Sequence, residues 1–273
     1  MIQKNNDLEK MINRDCTEIL ESGYALLDPR WSFDNMVSPF SRLYYIQSGS
    51  GIIRDVYGEI HMRPGYIYLI PVGVTYGSRC PQHLEKLYFH VNVTMPDGFD
   101  LFWGCKRCYE IKAEAGKISE MMKLYHSGGL GAAMQLRGMI LEDIGLFAEQ
   151  SGMKEKEFSV YSDLLYRMFE QVEQNLSASM SIKTLAAQLN VSESTLSRRF
   201  RQETGMTVGG YLAQMLLKRS CQLLLSSNMT IGEIADRLNF CDQFYFSRFF
   251  KKHQKETPSQ YRKRMFPTVG IHP

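Results

Sequence analysis

The sequence predicts an α+β fold in two parts: a small antiparallel β-barrel followed by helices, and an all-α part that contains one helical unit twice. From Ser41 to Val93, runs rich in Tyr, Ile, Val and Leu are separated by Gly and Pro turns, which is typical of short antiparallel strands. Beyond Ser181 the apolar residues recur at helical spacing instead. In that region two similar segments, Thr195–Tyr211 and Tyr245–Tyr261, lie 50 residues apart.

The predicted domain boundaries follow these changes in composition and charge. Residues 1–150 form the first domain, the polar segment 151–157 is the linker, and residues 158–273 form the second domain. From Phe158 onward the chain has 15 Lys and Arg against 9 Asp and Glu, whereas the residues before it have 17 against 20. A basic domain joined to an acidic one suggests that the two bind different partners.

In the first domain, turns are expected at the stretches "SGSG", "RPG" and "PVG", within residues 48–73. Two helices are expected after the strands, at Lys112–His126 and Gly131–Gln150. The second of these helices has an apolar stripe that includes Ile140 and Ile144. We expect this stripe to pack on the barrel or to pair with the same helix of a second copy.

The second domain is expected to contain two helix-turn-helix units. Ser181 and Thr230 are good N-caps for the first helix of each unit, because a hydroxyl can accept hydrogen bonds from the free amides of the first turn. Asn190 and Asn239 end these helices at a position that tolerates a left-handed backbone. The N-caps expected for the second helices are Ser192 and Asp242.

The second helix of each unit carries a polar, cationic stripe. Arginine can bridge the O6 and N7 atoms of guanine, and serine or glutamine can reach other base edges. The stripe could instead be a solvated basic face on a structural helix, but two copies with equivalent arginines, Arg198 and Arg248, favour contact with DNA. The candidate DNA-binding residues are Ser194, Ser197, Arg198, Arg201, Gln243, Phe244, Ser247, Arg248 and Lys251.

A single continuous helix is expected between the two units, from Gly210 to Asn228. Such a helix would hold the two cationic stripes at a fixed separation. Successive major-groove segments on one face of DNA lie about 34 Å apart. One chain could therefore read two adjacent segments of double-stranded DNA, or bend the DNA to do so.

The stretch that begins "LAAQLNVSESTLSRRF" and ends "IADRLNFCDQFYFSRFFKKHQKETPSQYRK" strongly resembles the DNA-binding domain of the AraC-type transcription regulators. The resemblance covers about Phe158 to Arg264. It implies two recognition helices that enter the major groove and a role in transcription, in most members as an activator. Phe244 is apolar where a polar base reader is common, so we expect it either to touch a thymine methyl group or to pack within the protein.

The pattern "GSG…RPGYIYLIPVGVTY" resembles the cupin-type effector domain that AraC-type regulators often carry. This resemblance implies a small-molecule effector bound in the barrel, with a sugar or sugar derivative as the first expectation, and a homodimer. Tyr88 and His90 would share a face of one strand, although core packing is the simpler role for each residue taken alone. The candidate effector-binding residues are Trp31, Arg42, Tyr44, Tyr76, Tyr88 and His90.

Three alternatives remain at the level of sequence, one of them a constitutive DNA-binding protein with a purely structural barrel. A metal-dependent cupin enzyme needs clustered His and Glu ligands, but Tyr76 stands where a histidine would be expected. We therefore expect no catalytic residues, no metal and no cofactor. A redox-responsive regulator could use Cys105 and Cys108, although a single CxxC pair has little specificity.

The sequence also predicts the compartment. No stretch approaches about 18 consecutive apolar residues, so no membrane span is expected. The first residues have no apolar core typical of a secretory signal. The predicted location is the cytoplasm.

Overall fold

The computed structural model describes residues 16–152 and 161–265. They divide into two compact units, one of residues 16–95 and 100–152, and the other of Pro96–Phe99 and residues 161–265. The predicted linker, 151–157, falls mostly on residues 153–160, which lie outside the described part. Among the described residues, no helix is long and apolar enough to cross a membrane.

The first unit begins with β-strands. In chain order these are β1 (Cys16–Leu27), β2 (Ser32–Met36), β3 (Ser41–Gly49), β4 (Gly51–Asp55), β5 (Gly58–Met62), β6 (Tyr66–Ile70), β7 (Tyr76–Arg79), β8 (Leu84–Thr94) and β9 (Tyr109–Lys112). They form two sheets of antiparallel neighbours, with strand orders β1-β8-β3-β6-β9 and β2-β7-β4-β5. The turns predicted at "SGSG", "RPG" and "PVG" contain Gly49, Gly65 and Gly73, each with a positive φ near 78°.

Two helices follow the strands, α1 (Lys117–Ser127) and α2 (Leu130–Gln150). The first was predicted to begin at Lys112, and that boundary was wrong. Residues 109–112 instead form β9, which pairs with β6 from Tyr66 to Leu69. Gly116, with φ 83°, marks the start of α1.

The five-stranded sheet has two different faces, because side chains alternate along each strand. One face contributes Leu43, Tyr45, Leu87 and Phe89 to a core with the apolar sides of α1 and α2. The predicted packing of the helix 131–150 on the sheet is thus confirmed, with Ile140 and Ile144 buried there. The other face meets the four-stranded sheet in a second core. We call this second face the inner face.

A buried ion pair ties both helices to the sheet. The Lys117 ammonium lies 2.6 Å from Oδ1 of Asp143, a residue that is fully buried. The hydroxyl of Tyr45 on β3 donates to the other oxygen of the same carboxylate at 3.0 Å. Lys117 also lies 2.7 Å from Glu142, whose side chain is 59% exposed. The buried lysine, carboxylate and phenol therefore satisfy one another.

The second unit is helical apart from its connecting segments. Its helices are α3 (Asp163–Asn175), α4 (Ile182–Gln188), α5 (Glu193–Thr204), α6 (Val208–Ser226), α7 (Ile231–Arg237), α8 (Gln243–Gln254) and α9 (Pro258–Met265). Two cores lie inside it, the first around Leu185, Leu196 and Phe200, and the second around Ile234, Phe246 and Phe250. The α+β prediction, with two helical units joined by one long helix, is therefore confirmed; that helix is α6.

The predicted caps and turns of the repeated unit are confirmed. Ser181 and Thr230 accept from the backbone amides of Thr184 and Glu233, each within a capping box. Ser192 and Asp242 cap α5 and α8 by accepting from the backbone amides of Thr195 and Tyr245. Asn190 and Asn239 both have φ 55°. The two turns thus use the same left-handed asparagine, although the second contains one more residue.

Pro96–Phe99 packs within the second unit. Tyr161 donates a hydrogen bond to Asp97 at 3.1 Å, and the Lys218 ammonium donates to the Gly98 carbonyl at 2.7 Å. The ring of Phe99 meets the ring of Tyr211 edge-on, with 5.8 Å between centroids. These contacts join the segment to α6. The sequence did not predict these contacts, because nothing local in Pro96–Phe99 indicates partners 64 to 120 residues away.

The buried ion pair generates a stability prediction. Replacing Asp143 with Ala leaves Lys117 buried without its principal anion, and breaking such a pair costs about 3–5 kcal/mol. We expect Asp143→Ala to lower the free energy of unfolding of the first unit by that amount in urea titrations. Glu142→Gln is the matched control and should cost less than about 1 kcal/mol, because that partner is exposed. Equal losses for the two variants would contradict the assignment.

Candidate DNA-binding surface and effector site

Helices α5 and α8 are built alike, each with one buried and one exposed face. Leu196 and Phe200 of α5 are fully buried, as are Phe246 and Phe250 of α8. The predicted DNA-binding residues lie on the other sides of these helices. Ser247 is half-buried, and the remaining eight are exposed: Ser194, Ser197, Arg198, Arg201, Gln243, Phe244, Arg248 and Lys251. We call these nine side chains the cationic stripes.

The cations of the stripes point into solvent. Within the described part of the chain, the side chains of Arg198, Arg201 and Lys251 form no salt bridge and no hydrogen bond. The Arg248 guanidinium lies 5.9 Å from the ring centroid of Tyr245. The hydrogen bond from the Tyr245 amide lowers the pKa of the N-cap Asp242, and the charge of Arg248 helps to lower it. The neighbouring Arg199 differs, because its guanidinium lies 3.9 Å from Glu203 on the same helix. Unpaired cations on one helix face are available to base edges and phosphates.

Phe244 does not pack inside the protein. Its side chain is 67% exposed at the first turn of α8. Of the two roles expected for this residue, internal packing is therefore wrong. An exposed aromatic ring beside exposed cations suits apolar contact with a thymine methyl group.

In the first unit, the strand register brings four of the six predicted effector residues together, and a ring contact adds Trp31 to them. On the inner face, Arg42 of β3 lies opposite His90 of β8, and Tyr44 lies opposite Tyr88. The ring of Trp31 meets that of Tyr44, with 6.5 Å between centroids. The sharing of a face by Tyr88 and His90, expected from their spacing, is therefore confirmed. Their role in binding a ligand stays a prediction.

Tyr76, the sixth predicted residue, comes from β7 of the opposite sheet and belongs to the same core. Its ring packs edge-on against Phe33, with 5.8 Å between centroids. The Tyr76 hydroxyl is buried and makes no well-aligned hydrogen bond with the described residues, although the Tyr44 hydroxyl and the Arg42 charge lie near it. A buried hydroxyl without a partner costs free energy unless a further group reaches it.

A hydrogen-bonded chain crosses the inner face at one end. Arg42 lies 2.7 Å from Nε2 of His90, whose Nδ1 lies 2.8 Å from the Glu21 carboxylate. Burial, followed by the charge of Arg42, lowers the pKa of His90 to about 4. The imidazole is therefore neutral at pH 7, accepting from Arg42 through Nε2 and donating to Glu21 through Nδ1. Glu21 also accepts from the Tyr88 hydroxyl at 3.1 Å.

Lys86 is the functional candidate that sequence reasoning missed. It lies on β8 two residues before Tyr88, opposite Ile46, and its side chain is buried, with 3% of its surface exposed. Its ammonium lies 3.3 Å from the ring centroid of Tyr44 and 4.3 Å from that of Trp31. It forms no salt bridge and no hydrogen bond with the described residues. Alternation along "LEKLYFHVNV" places Lys86 on the face of Tyr88 and His90, so the sequence did hold the signal.

These aromatic contacts only partly offset the burial of Lys86. A cation over an aromatic face contributes about 2 kcal/mol when desolvated, whereas removing an ammonium from water costs several kcal/mol. Burial, assisted by the positive charge of Arg42, accordingly holds the pKa of Lys86 well below its usual 10.5. We call Trp31, Arg42, Tyr44, Lys86, Tyr88 and His90 the inner cluster.

Cys108 lacks the environment of a reactive cysteine. Cys105 and Cys108 are not joined by a disulfide, and Cys108 is fully buried. Burial, followed by the charge of Asp55, raises the pKa of the Cys108 thiol, which disfavours the reactive thiolate. Within residues 16–152 and 161–265, no three His, Cys, Asp or Glu side chains lie close enough together to hold a metal ion.

Comparison with known proteins adds to this geometry. The model of a helix-turn-helix domain family matches residues 185–264. The Msm operon regulatory protein of Streptococcus mutans is 22% identical over 259 residues, which cover 89% of this chain and 91% of that protein. The transcriptional activator RhaR of Mannheimia succiniciproducens is 32% identical over 113 residues, 41% of each chain. A crystal structure of ToxT from Vibrio cholerae shares 13% identity and has a TM-score of 0.48, covering 91% of this chain and 98% of that one.

The second unit contains two helix-turn-helix units, each with its own core and each with one exposed cationic helix. This arrangement defines a DNA-binding transcription regulator. The class of regulator follows from the family model that matches residues 185–264 and from the regulatory proteins that align with this chain. The C-terminal region is an AraC-type helix-turn-helix domain, and the resemblance found in the sequence is confirmed.

The buried lysine generates a prediction about pH. Between the lowered pKa of folded Lys86 and the usual 10.5, the unfolded chain binds a proton that the folded protein does not. Its contribution therefore destabilises the fold increasingly as pH falls through this window. We expect Lys86→Met to be more stable than wild type near pH 7, with an advantage that shrinks as pH rises towards 10.

Urea titrations of the two proteins from pH 7 to pH 10 measure this difference. Lys123→Met is the matched control, because Lys123 is exposed on α1. It should show no such trend. If the stability advantage of Lys86→Met does not change with pH, the charge of Lys86 does not lower the free energy of unfolding.

Proposed function

We propose that this regulator reads two segments of double-stranded DNA with α5 and α8 and that a small molecule bound by the inner cluster controls this activity, most simply as an activator. The observation that carries the DNA-binding part is the repetition of one arrangement. Arg198 and Arg248 occupy the same position of two helices that are both capped by a side-chain oxygen and that bury and expose equivalent faces. A structural helix needs no such repeated cation.

The proposed roles of the stripe residues follow from their chemistry. Arg198 and Arg248 would each grip a guanine, with Ser194, Ser197, Gln243 and Ser247 reaching neighbouring base edges. Arg201 and Lys251, one turn further along their helices, suit phosphates. The two groups should differ in an experiment, because base contacts discriminate between sequences whereas phosphate contacts do not.

The effector part of the proposal rests on the inner cluster. Aromatic rings and a few polar groups converge there, which is the composition expected of a small-molecule site. A sugar or sugar derivative is the first candidate, because its ring can stack on aromatic side chains while its hydroxyls meet polar groups. An effector acts only if it binds one arrangement of the protein more tightly than another.

A homodimer in the cytoplasm completes the proposal. Helix α2 exposes three large apolar side chains: Leu130 at 78% and Met134 at 67%, one turn apart, and Leu146 at 46%. The same helix of a second copy would cover them. Sedimentation velocity of the full chain would show whether dimers form.

Selection of genomic fragments by the purified protein at fixed, near-physiological salt tests the DNA-binding function. A few recovered sites that share a two-segment motif are the expected result. If all fragments are recovered uniformly, with and without candidate effectors, the cationic stripes bind DNA only through sequence-independent electrostatic attraction, and the proposal is overturned.

The arginine variants give the sharper prediction. Arg198→Ala and Arg248→Ala should each weaken binding to a selected site by about 1–3 kcal/mol and relax the preference at one base position. Lys251→Ala should weaken binding to all sequences alike and reduce the salt slope by about 1. Fluorescence anisotropy at several salt concentrations measures both effects.

Arg199→Ala is the matched control for these variants. It removes a cation next to Arg198 in sequence, but one that already faces Glu203. We expect little change in its preference among sites. If Arg198→Ala and Arg248→Ala bind like wild type at matched salt, the reading face is assigned wrongly.

A further inference from the structure

The inner cluster holds more positive than negative groups. Arg42 and Lys86 are its two cations, and Glu21 is the carboxylate that reaches it. Glu21 is already engaged, since it accepts hydrogen bonds from His90 and Tyr88. Lys86 is left with aromatic rings alone. The positive charge of the cluster is thus not balanced by the described residues.

The position of Lys86 makes this imbalance informative. A lysine at a protein surface extends into water, but this side chain is buried between Tyr44 and Trp31, 3.3 Å and 4.3 Å from their centroids. A methionine or leucine would fill the same space without the cost of desolvation. Its presence is explained if a negative group joins it in the working state of the protein.

Resting on the proposed effector function, we propose that the effector is an anion, with its carboxylate or phosphate group held by Lys86 and Arg42. Nε of Arg42 donates to the Ser38 hydroxyl at 2.9 Å and Nη1 to His90 at 2.7 Å, which leaves Nη2 to donate to the anion. The Lys86 ammonium offers a compact charge beside it. The Trp31 and Tyr88 rings, both only partly buried, would flank the uncharged part of the ligand. The Tyr76 hydroxyl lies in the same core and offers a further donor.

This inference narrows the sugar class. A neutral sugar would leave Lys86 desolvated and unpaired, whereas a sugar acid or a sugar phosphate would supply the missing charge. The same chemistry would admit a small organic acid that has an apolar body. The anionic group is common to all of these, and its source is what the experiment distinguishes.

Thermal unfolding of the full chain at constant ionic strength is the test. The probes are glucose, glucuronate, glucose 6-phosphate, benzoate and inorganic phosphate. We expect at least one anionic probe to raise the Tm of wild type by more than about 2 °C at saturation, and glucose to leave it unchanged. Comparing the Tm shifts produced by glucuronate and glucose 6-phosphate with the shift produced by benzoate shows whether the site prefers a sugar ring or an aromatic ring. The shift with inorganic phosphate shows how much the charged group contributes alone.

Lys86→Met should abolish the shift, and Lys123→Met should retain it. Tryptophan fluorescence gives a second measurement on wild-type protein, because the Trp31 ring lies next to the proposed anion. The chain has two tryptophans, and the Trp31→Phe variant shows how much of the signal comes from Trp31. If Lys86→Met fails to fold, titration of wild type with the same probes decides the question by this signal.

The outcomes separate the two proposals. An anion-dependent shift lost in Lys86→Met supports the inference. A shift with glucose that Lys86→Met keeps would overturn the anionic class but leave a sugar-responsive regulator. No shift and no fluorescence change with any anion would overturn the inference, while selection of specific DNA sites would still stand on its own. An equal shift in wild type and Lys86→Met would place the anion elsewhere.

Discussion

The antiparallel pairing of β3 with β8 is the constraint on which the first unit depends. Because side chains alternate along both strands, one register sends Leu43, Tyr45 and Phe89 to the helices and turns Arg42, Tyr44 and Lys86 towards the other sheet. A slip of one residue would put the charged groups into the helix-facing core and expose the apolar ones. The apolar sides of α1 and α2 need apolar partners on one face of the sheet, so the inner cluster lies on the opposite face. Neither helix contributes a residue to that cluster.

The second unit depends on a local device used twice. A capped short helix, a left-handed asparagine and a second cap recur around Asn190 and Asn239, and each recurrence sets one exposed cationic helix against its own core. Despite the extra residue in the second turn, both second helices keep a side-chain N-cap and a buried apolar face. Repetition of local chemistry thus produces two similar surfaces, while the differences between them, such as Phe244, leave room for the two helices to prefer different bases.

The accuracy of the sequence predictions follows the range of the interactions involved. Caps, the asparagine turns and the length of α6 depend on neighbours within a few residues, and these were predicted correctly. The pairing of β1 with β8, the strand at Tyr109–Lys112 and the packing of Pro96–Phe99 depend on partners far along the chain, and the sequence contained no local sign of them. Lys86 is a different case, because its alternation with Tyr88 was visible. It was overlooked since charged side chains are rarely buried without a partner.

Buried, unpaired charge is also the strongest argument for what the inner cluster selects. A binding site rejects an analogue most effectively when the analogue leaves a buried polar group unsatisfied. Lys86 is enclosed by aromatic rings. A neutral molecule with the shape of an anionic effector would leave the desolvation cost of its ammonium uncompensated, whereas an anion would compensate for it. The lysine thus lowers the stability of the unliganded fold and in return discriminates by charge, a trade between stability and function common at binding sites. Arg42 cannot supply this discrimination alone, because its charge is already offset by Glu21 through a neutral His90.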